Sequence, residues 1–202
     1  MFINAPQSAE TVLKRSFSNW GIFNLYEKMV FIVKAPKNNT IPQMEKTFLN
    51  GFGEKINREL EVYVCSNPSQ KELAIRLQPA HAGMMIGQIK NKKFFPNLNF
   101  AELVAKNNPN LNYPYVVLEN KSANLVIYGR DIMGDAIVDF FSGIKENQLV
   151  IVFNKKQEVI GLGKSRFASN LITQGAKITI DNIQDIGTYY LKEENKFVFG
   201  QD

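Results

Sequence analysis

The sequence predicts an α+β protein in which an N-terminal α/β domain is followed by a small β-barrel. The first part of the chain alternates between amphipathic helical patterns and short apolar strand patterns. The last part, about ninety residues, contains short apolar runs separated by glycine and asparagine turns, the spacing of a small barrel. Asparagine and proline are dense over residues 106–114, where neither a helix nor a central strand can continue. We therefore predict one domain over residues 1–111 and another over residues 112–202.

The elements of the first domain follow in order from caps, periodicity and turn residues. Ser8 is suited to cap a helix that buries one apolar face and ends at Gly21. Thr40 is suited to cap a second helix, which ends at Gly51. Asn67-Pro68-Ser69 is typical of a turn between two strands. The predicted strands are residues 29–34, 60–65, 72–77 and 84–90, and a last helix follows residues 94–98 and runs to about residue 106.

The net charge is +5 and the pI is about 9.2, a basic bias that fits a nucleic-acid partner. Residues 1–111 hold 14 Lys and Arg against 8 Asp and Glu, whereas residues 112–202 hold 10 against 11. Within the second domain the charges are segregated, because residues 143–180 contain only two acids, Glu146 and Glu158. A binding face opposite a solvated back would need such segregation. The six cations of this window are Lys145, Lys155, Lys156, Lys164, Arg166 and Lys177.

Composition narrows the class of protein further. No apolar run approaches the roughly 20 residues of a membrane helix, and the first ten or so residues lack the pattern of a signal peptide. The single cysteine, Cys65, excludes an internal disulfide and a zinc cluster built on cysteine pairs. We expect a cytoplasmic, monomeric protein with no membrane partner.

Three glycine-containing motifs mark the C-terminal part: YGRDIM at residues 128–133, LVIVFNKKQEVIGLG at 149–163 and DIGTYYL at 185–191. With these motifs the region resembles a PUA domain, the small β-barrel named after pseudouridine synthases and archaeosine transglycosylases. The resemblance implies that the first motif forms a turn and short helix after an early strand. It implies that the second is a central hairpin and the third a late strand. PUA domains mostly bind RNA, so the resemblance implies an RNA partner.

A second resemblance joins the two parts of the chain. MMIGQIKNKKFFPNLNFAELV at 84–104, followed by YPYVVLENKSANLVIYGRDIMGDAI at 113–137, is similar to an archaeal ribosome-biogenesis factor of the Nip-seven type. That family joins an α/β domain with an antiparallel sheet to a C-terminal PUA domain and acts in large-subunit assembly. Its RNA contacts are associated with basic residues on the late strands, but here residues 177–184 contain one lysine, Lys177. The other cations lie on the hairpin and in a predicted loop over 163–167.

Cations of the second domain are the predicted RNA-binding residues, because an arginine fork and a lysine point charge both suit phosphate. The alternative for each is an ordinary solvated charge, since charged residues are exposed in any case. The basic-aromatic run before Phe94-Phe95 is a second contact for RNA or protein, or a loop whose aromatics anchor the core. The predicted RNA-binding residues are Lys155, Lys156, Lys164, Arg166 and Lys177, with Lys90, Lys92 and Lys93 as the second contact.

Other residues each carry two interpretations. Residues 161–165, GLGKS, suggest a phosphate loop but lack its upstream glycine and a following helix, so we expect a strand exit that RNA backbone approaches closely. Tyr128 and Phe167 could stack on bases, and we assign Tyr128 to the barrel core. His81 has no Cys or His neighbour in sequence, so no metal site is predicted there. Cys65 lies in an apolar strand as a small core residue.

No catalytic residue, metal or cofactor is predicted. A methyltransferase needs a glycine-rich cofactor loop after its first strand, and the chain has none. We predict a non-catalytic RNA-binding assembly factor that contacts single-stranded segments of precursor large-subunit rRNA, with ribosome-assembly or exosome-type proteins as partners. The alternative is a protein-interaction adaptor for an RNA-processing or degrading complex.

Overall fold

A computed structural model of the protein describes residues 1–36 and 59–190. Two units are distinguished, Met1–Phe100 and Ala101–Asp202, and each contains its own sheet. The division falls inside a helix, ahead of the Asn/Pro-rich stretch, and the predicted boundary between residues 111 and 112 stays a prediction. The helix predicted over residues 40–51 and the end of the third motif, Leu191, lie outside the described residues. No helix within the described ranges is long and apolar enough to span a bilayer.

The first unit is built on a five-stranded antiparallel sheet, which confirms the predicted fold class. A two-residue turn joins the last two strands at Asn91 and Lys92, whose φ angles of 51° and 59° suit the twist of a hairpin. The strands lie side by side in the order of the chain: β1 Phe2–Ile3, β2 Val30–Lys34, β3 Leu60–Cys65, β4 Met84–Lys90 and β5 Lys93–Pro96.

Four helices among the described residues accompany this sheet: α1 Gln7–Asn19, α2 Phe23–Tyr26, α3 Pro68–Leu77 and α4 Leu98–Asn107. The predicted apolar face of α1 is confirmed, and Phe17 packs edge-to-face on the rings of Phe31 and Phe100. The predicted cap was wrong, because α1 follows Pro6 and no side chain caps its first turn. The predicted end is confirmed at Gly21, whose φ of 68° is accessible to glycine at low cost.

Helix α3 replaces the strand predicted over residues 72–77. The Asn67 side chain accepts a hydrogen bond from Gln70 N at 2.8 Å, and Pro68 occupies the first helical turn. The Gln70 side chain accepts in return from Ser66 N at 2.6 Å. Asn67-Pro68-Ser69 is therefore a helix cap and not a turn between strands, since reciprocal bonds satisfy the free N–H groups of a helix start.

The second unit contains a curled six-stranded sheet in the order β7-β11-β10-β9-β6-β8. The strands β6 and β9 are parallel and all other pairs are antiparallel. Register shifts in β10 and its neighbours bend the sheet, as bulges do. The strands are β6 Tyr115–Leu118, β7 Ile132–Met133, β8 Ile137–Phe140, β9 Leu149–Asn154, β10 Val159–Ser165 and β11 Ile178–Asp185. The predicted central hairpin is confirmed as β9 and β10.

Two helices of this unit lie where strands had been expected. Helix α5, Asn120–Ile127, precedes the YGRDIM motif, which forms a turn leading into β7 and a short 3-10 segment, Gly134–Ala136. The third motif does not form a late strand, because β11 ends at Asp185 and helix α6, Gly187–Tyr190, follows. The Asp185 side chain accepts a hydrogen bond from Thr188 N at 2.8 Å and so caps this turn.

Candidate nucleic-acid interface

Lys164 lies on a strand and not in the loop predicted over residues 163–167. It belongs to β10, where it pairs with Leu149 of β9 and Asp181 of β11. Its side chain is exposed, whereas the next residue, Ser165, is fully buried. A residue paired with strands on both sides has a fixed direction, so Lys164 presents its charge from a rigid position.

Hydrogen bonds of Ser165 hold a second lysine, Lys145, at the same end of β10 as Lys164. The Ser165 Oγ donates to the carbonyl of Lys145 at 2.6 Å, and its carbonyl accepts from Asn147 N at 2.8 Å. Its N–H donates to Gln148 O at 2.9 Å. These three bonds hold the loop that carries Lys145 against the end of β10, so Lys145 and Lys164 share one end of the sheet.

Lys177 lies beyond the same end of the sheet. It immediately precedes β11, and Ile180 of that strand pairs with Ser165. The Lys177 Nζ is 3.5 Å from the Oε1 of Gln174, and the side chain is exposed. Four cations therefore gather at this end, and we call them the loop-end cluster: Lys145, Lys164, Arg166 and Lys177.

Arg166 is the member of the cluster whose charge is compensated. Its Nε and Nη2 donate to Asp181 Oδ1 at 2.6 and 2.5 Å, and Nη2 lies 3.8 Å from Asp131 Oδ2. The hydrogen bond to Asp181 raises the pKa of the Arg166 guanidinium, with further attraction from Asp131. Two carboxylates thus hold a side chain that the sequence had suggested was free, which reduces its availability to a phosphate.

The hairpin tip between β9 and β10 carries Lys155 and Lys156, as predicted. The Asn154 side chain accepts from Lys156 N at 2.9 Å and from Glu158 N at 3.0 Å, which shapes the turn. Lys155 Nζ lies 2.5 Å from Glu119 Oε2, and this bond lowers the pKa of the Glu119 carboxyl. Lys155 is therefore ion-paired, whereas Lys156 makes no salt bridge within residues 1–36 and 59–190.

The hairpin tip and the loop-end cluster are separate surfaces. Val159 begins β10 next to the tip, and Lys164 lies five residues further along. At about 3.3 Å per residue this distance is roughly 17 Å. The predicted RNA-binding residues therefore form two cationic groups at opposite ends of the hairpin, and not one continuous patch.

The turn over residues 128–131 was missed as part of this surface. Tyr128 is 68% exposed at the end of α5, so its assignment to the core was wrong. Asp131 Oδ1 accepts from Asn182 N at 2.9 Å, and the Asn182 side chain donates to Val126 O at 3.0 Å. These bonds attach the turn to β11 beside Asp181, the partner of Arg166. An exposed tyrosine and the exposed Arg130 therefore border the loop-end cluster.

The exposure of Tyr128 escaped prediction because the apolar run before it, residues 123–127, is equally compatible with a buried strand. The signal that could have found it is the Gly-Arg pair that follows, since Gly129 has a φ of 78° and begins an exposed turn. The other predicted stacking residue, Phe167, is half-buried.

The glycine pair of β10 serves packing and not the approach of RNA. Both Gly161 and Gly163 are buried, and a Cβ added at Gly163 would lie 2.4 Å from Ile180 Cγ2. At Gly161 the added Cβ would lie 3.0 Å from Gln184 O. Both neighbours belong to β11, so the glycines let that strand pack closely. The expectation of a strand exit open to RNA was wrong, and the strand placement of Lys164 also excludes a phosphate loop.

The predicted second contact lies at the turn between β4 and β5. Lys90 forms an ion pair with Glu59, whereas Lys92 and Lys93 are exposed, and Arg15 donates from Nη2 to Lys92 O at 3.3 Å. Arg15 therefore adds a cation from α1 to this group. Its part in binding stays a prediction.

Side chains that could bind a metal do not cluster among the described residues. No group of three or more His, Cys, Asp or Glu side chains within residues 1–36 and 59–190 could hold a metal ion. His81 is exposed in a loop before β4. Cys65 is buried in β3, where burial raises the pKa of its thiol, in agreement with the core position predicted for it.

The second unit is similar to a known domain family. Residues 114–195 match the family model of the UPF0113 PUA domain. The matched residues include all six strands of the curled sheet. Over the whole chain, a UPF0113 protein of Archaeoglobus fulgidus is 29% identical across 202 residues, which cover 98% of this chain and all of the relative.

A solved structure from Pyrococcus resembles the chain at the level of fold. A hypothetical protein from Pyrococcus horikoshii OT3 has a TM-score of 0.57 at 14% identity, covering 92% of this chain and 94% of its own. A conserved PUA domain protein from Thermoplasma acidophilum has a TM-score of 0.45 at 12% identity, covering 80% and 98%. The Pyrococcus likeness extends across nearly the whole length of both chains.

Proposed function

We propose that this protein is a non-catalytic RNA-binding factor, and that its PUA domain contacts single-stranded RNA through the loop-end cluster and the Tyr128 turn. The PUA match over residues 114–195 is the observation that carries the proposal. The geometry supports it, because Lys164 projects from a rigid strand beside Lys145, and exposed Tyr128 and Arg130 border them. Cations suit phosphate oxygens, and an aromatic face suits an unpaired base.

The strength of binding follows from the number of uncompensated cations. Of the four cations in the loop-end cluster, Arg166 is ion-paired, which leaves Lys145, Lys164 and Lys177. At roughly 0.7 per phosphate for single strands, three contacts give a log–log salt slope of about −2. We expect affinity that is weak at physiological salt and rises clearly as salt is lowered.

The proposal includes a specific role: the protein acts on precursor rRNA in the cytoplasm, during assembly of the large ribosomal subunit. It rests on the resemblance of residues 84–104 and 113–137 to the Nip-seven type. RNA cross-linking in cells tests it, since the sites should concentrate on precursor large-subunit rRNA. Sites spread evenly over unrelated RNAs would contradict it.

Fluorescence anisotropy with a labelled single-stranded oligonucleotide tests the interface directly. Lys164→Ala should weaken binding and flatten the salt slope by about 0.7, because one phosphate contact is lost. The matched control is Lys28→Ala, which removes an exposed charge from the first unit. Equal losses in the two variants would mean that only net charge matters. If Lys92→Ala with Lys93→Ala alone abolishes binding, the first unit contacts the RNA and the assigned face is wrong.

An adaptor for an RNA-processing or degrading complex remains the second candidate. The ion pairs of Lys155 and Arg166 favour it, because they leave the PUA face less positive than its cation count suggests. Partners that co-purify after nuclease treatment, together with RNA affinity that does not depend on salt, would support the adaptor over the RNA-binding factor.

A further inference from the structure

The strand β1 covers only part of the edge of β2. Phe2 pairs with Lys34 and Ile3 pairs with Val33, and there the ladder ends. The chain then turns into α1 at Pro6, which has no N–H to donate. The first half of β2 therefore has no neighbouring strand on this side within the described ranges.

The backbone groups that face this open edge can be identified from the register. Met1 and Ala35 exchange hydrogen bonds in both directions, at 2.8 and 2.5 Å, so they form a hydrogen-bonded pair. Such pairs alternate along an antiparallel ladder, so the N–H and C=O of Val33 and then Phe31 also face this edge. Val33 is opposite Ile3, whereas no hydrogen bond joins Phe31 to the described residues on this side.

A groove of about 800 Å³ lies along this edge and is lined by Phe31. The Phe31 side chain packs against Phe17 of α1, and Ile32 is in the cluster with Ala74 of α3. Since neighbouring residues of a strand point to opposite faces, α1 and α3 cover opposite faces of the sheet. The groove is therefore a slot between two layers, with the open edge of β2 at its base.

The two walls of the slot differ in charge. The wall formed by α1 and the segment after α2 contributes Glu10 and Glu27, and α3 contributes Lys71 and Arg76 together with Glu72. An added strand would direct alternate side chains to the two walls. Basic residues would meet Glu10 and Glu27, and acidic residues on the other side would meet Lys71 and Arg76.

We propose that this slot binds an extended peptide segment of a partner protein, which adds to the edge of β2 by pairing with Phe31. The segment alternates, with basic residues towards the α1 wall and acidic residues towards the α3 wall. Backbone groups that face a groove are satisfied by solvent in the free protein and by a paired strand in the complex. A nucleic acid fits less well, because three carboxylates line the slot and would repel phosphates. The inference is independent of RNA binding by the PUA domain.

Amide hydrogen exchange measured by NMR on the full chain tests the pairing. The probe is the capped peptide acetyl-Lys-Val-Lys-Glu-Val-Glu-amide. When this peptide is extended, both lysines lie on one face and both glutamates on the other. In the free protein the Phe31 amide should exchange faster than the Val33 amide, which is already paired with β1. Addition of the peptide should slow exchange at Phe31 several-fold and leave Val33 unchanged. Protection of Phe31 without peptide, or binding that does not protect it, would overturn the proposal.

Two comparisons separate strand addition from general attraction. The same peptide with N-methylated central amides keeps its side chains and charge but loses its ladder bonds, so it should not bind. Glu27→Lys should weaken the unmodified peptide about two- to fivefold, as expected for an exposed charge pair, whereas Glu146→Lys should not. Equal binding of the N-methylated peptide, or displacement of the peptide by single-stranded RNA, would refute the assignment of a peptide slot.

Discussion

Removal of the carboxylate that holds Arg166 should strengthen RNA binding. Arg166 should contribute little to RNA binding in the native protein, because Asp181 and Asp131 compensate its charge. Asp181→Asn removes the closer carboxylate and keeps an oxygen that can still accept a hydrogen bond. The guanidinium then gains positive potential at the same place in the loop-end cluster.

The size of the effect follows from counterion release. If the released Arg166 neutralises one further phosphate, the salt slope steepens by about 0.7, and affinity at ~0.15 M salt rises by up to about fourfold. The ion pair is exposed, with 43% and 36% of the two side chains accessible, so its loss should cost stability less than about 1 kcal/mol. Affinity and stability should therefore change in opposite directions.

The assay is anisotropy with a single-stranded oligonucleotide over a range of salt, with urea unfolding in parallel. The matched control is Glu102→Gln, which frees Lys106 from its ion pair on α4 and changes net charge equally. The control should alter affinity less than Asp181→Asn does. Unchanged affinity in Asp181→Asn, or an Arg166→Ala variant that loses as much affinity as Lys164→Ala, would refute this account of the cluster.

Three further perturbations probe the fold and its charges. Gly163→Ala should lower the free energy of unfolding by about 1–3 kcal/mol in urea, because the new methyl would lie 2.4 Å from Ile180 Cγ2. Asn67→Ala should cost about 0.5–2 kcal/mol in the same assay, since it removes the side-chain cap of α3. Lys155→Ala should raise the pKa of Glu119 towards its ordinary value in an NMR titration, because Lys155 supplies the main bond that lowers it.

Each of these changes has a matched control. Gly175→Ala adds the same methyl where no atom lies within 4 Å, so it should not destabilise the protein. Asn67→Ser keeps a capping oxygen and should retain most of the stability. Lys156→Ala removes the neighbouring charge of the tip and should leave the Glu119 pKa nearly unchanged. Because Lys155 lowers the pKa of Glu119, their ion pair stabilises the folded protein above the ordinary pKa of a glutamate carboxyl. This stabilisation is lost as the pH falls through the lowered pKa of Glu119. If a control behaves as its test variant does, the local explanation is wrong.

The sequence predicts elements well where the pattern is long or turn residues fix both ends. Helix α1 repeats its apolar residues over three turns, and the hairpin of β9 and β10 has apolar strands on both sides of a polar tip. It fails for short apolar runs such as residues 72–77 and 123–127, which suit either a strand or one face of a helix. For α3 the deciding signal was the Asn67 cap with Gln70, a local feature that outweighed the apolar run.

The candidate site was less predictable than the fold, because compensation of charge depends on contacts distant in sequence. Arg166 and Asp181 are 15 residues apart and meet because β10 and β11 pair in one register. Lys155 meets Glu119, which lies between β6 and α5. A count of cations along the sequence includes paired and free charges alike. The pairing register of the strands decides which of these charges are paired and which are free.

The difference between paired and free cations bears on how the proposed RNA interface would distinguish one RNA from another. The uncompensated lysines of the loop-end cluster would contact phosphates, which are the same in every sequence, so they position the strand without selecting it. Selection needs contact with bases. Tyr128, the most exposed described aromatic of the second unit, stands beside Arg130 on a turn that Asn182 anchors to β11. An aromatic face stacks on any base, so a preference would come from Arg130 hydrogen-bonding to base edges next to the stacked position. Lysine substitutions should therefore lower affinity uniformly across RNA sequences, and Arg130→Ala should narrow the differences among them.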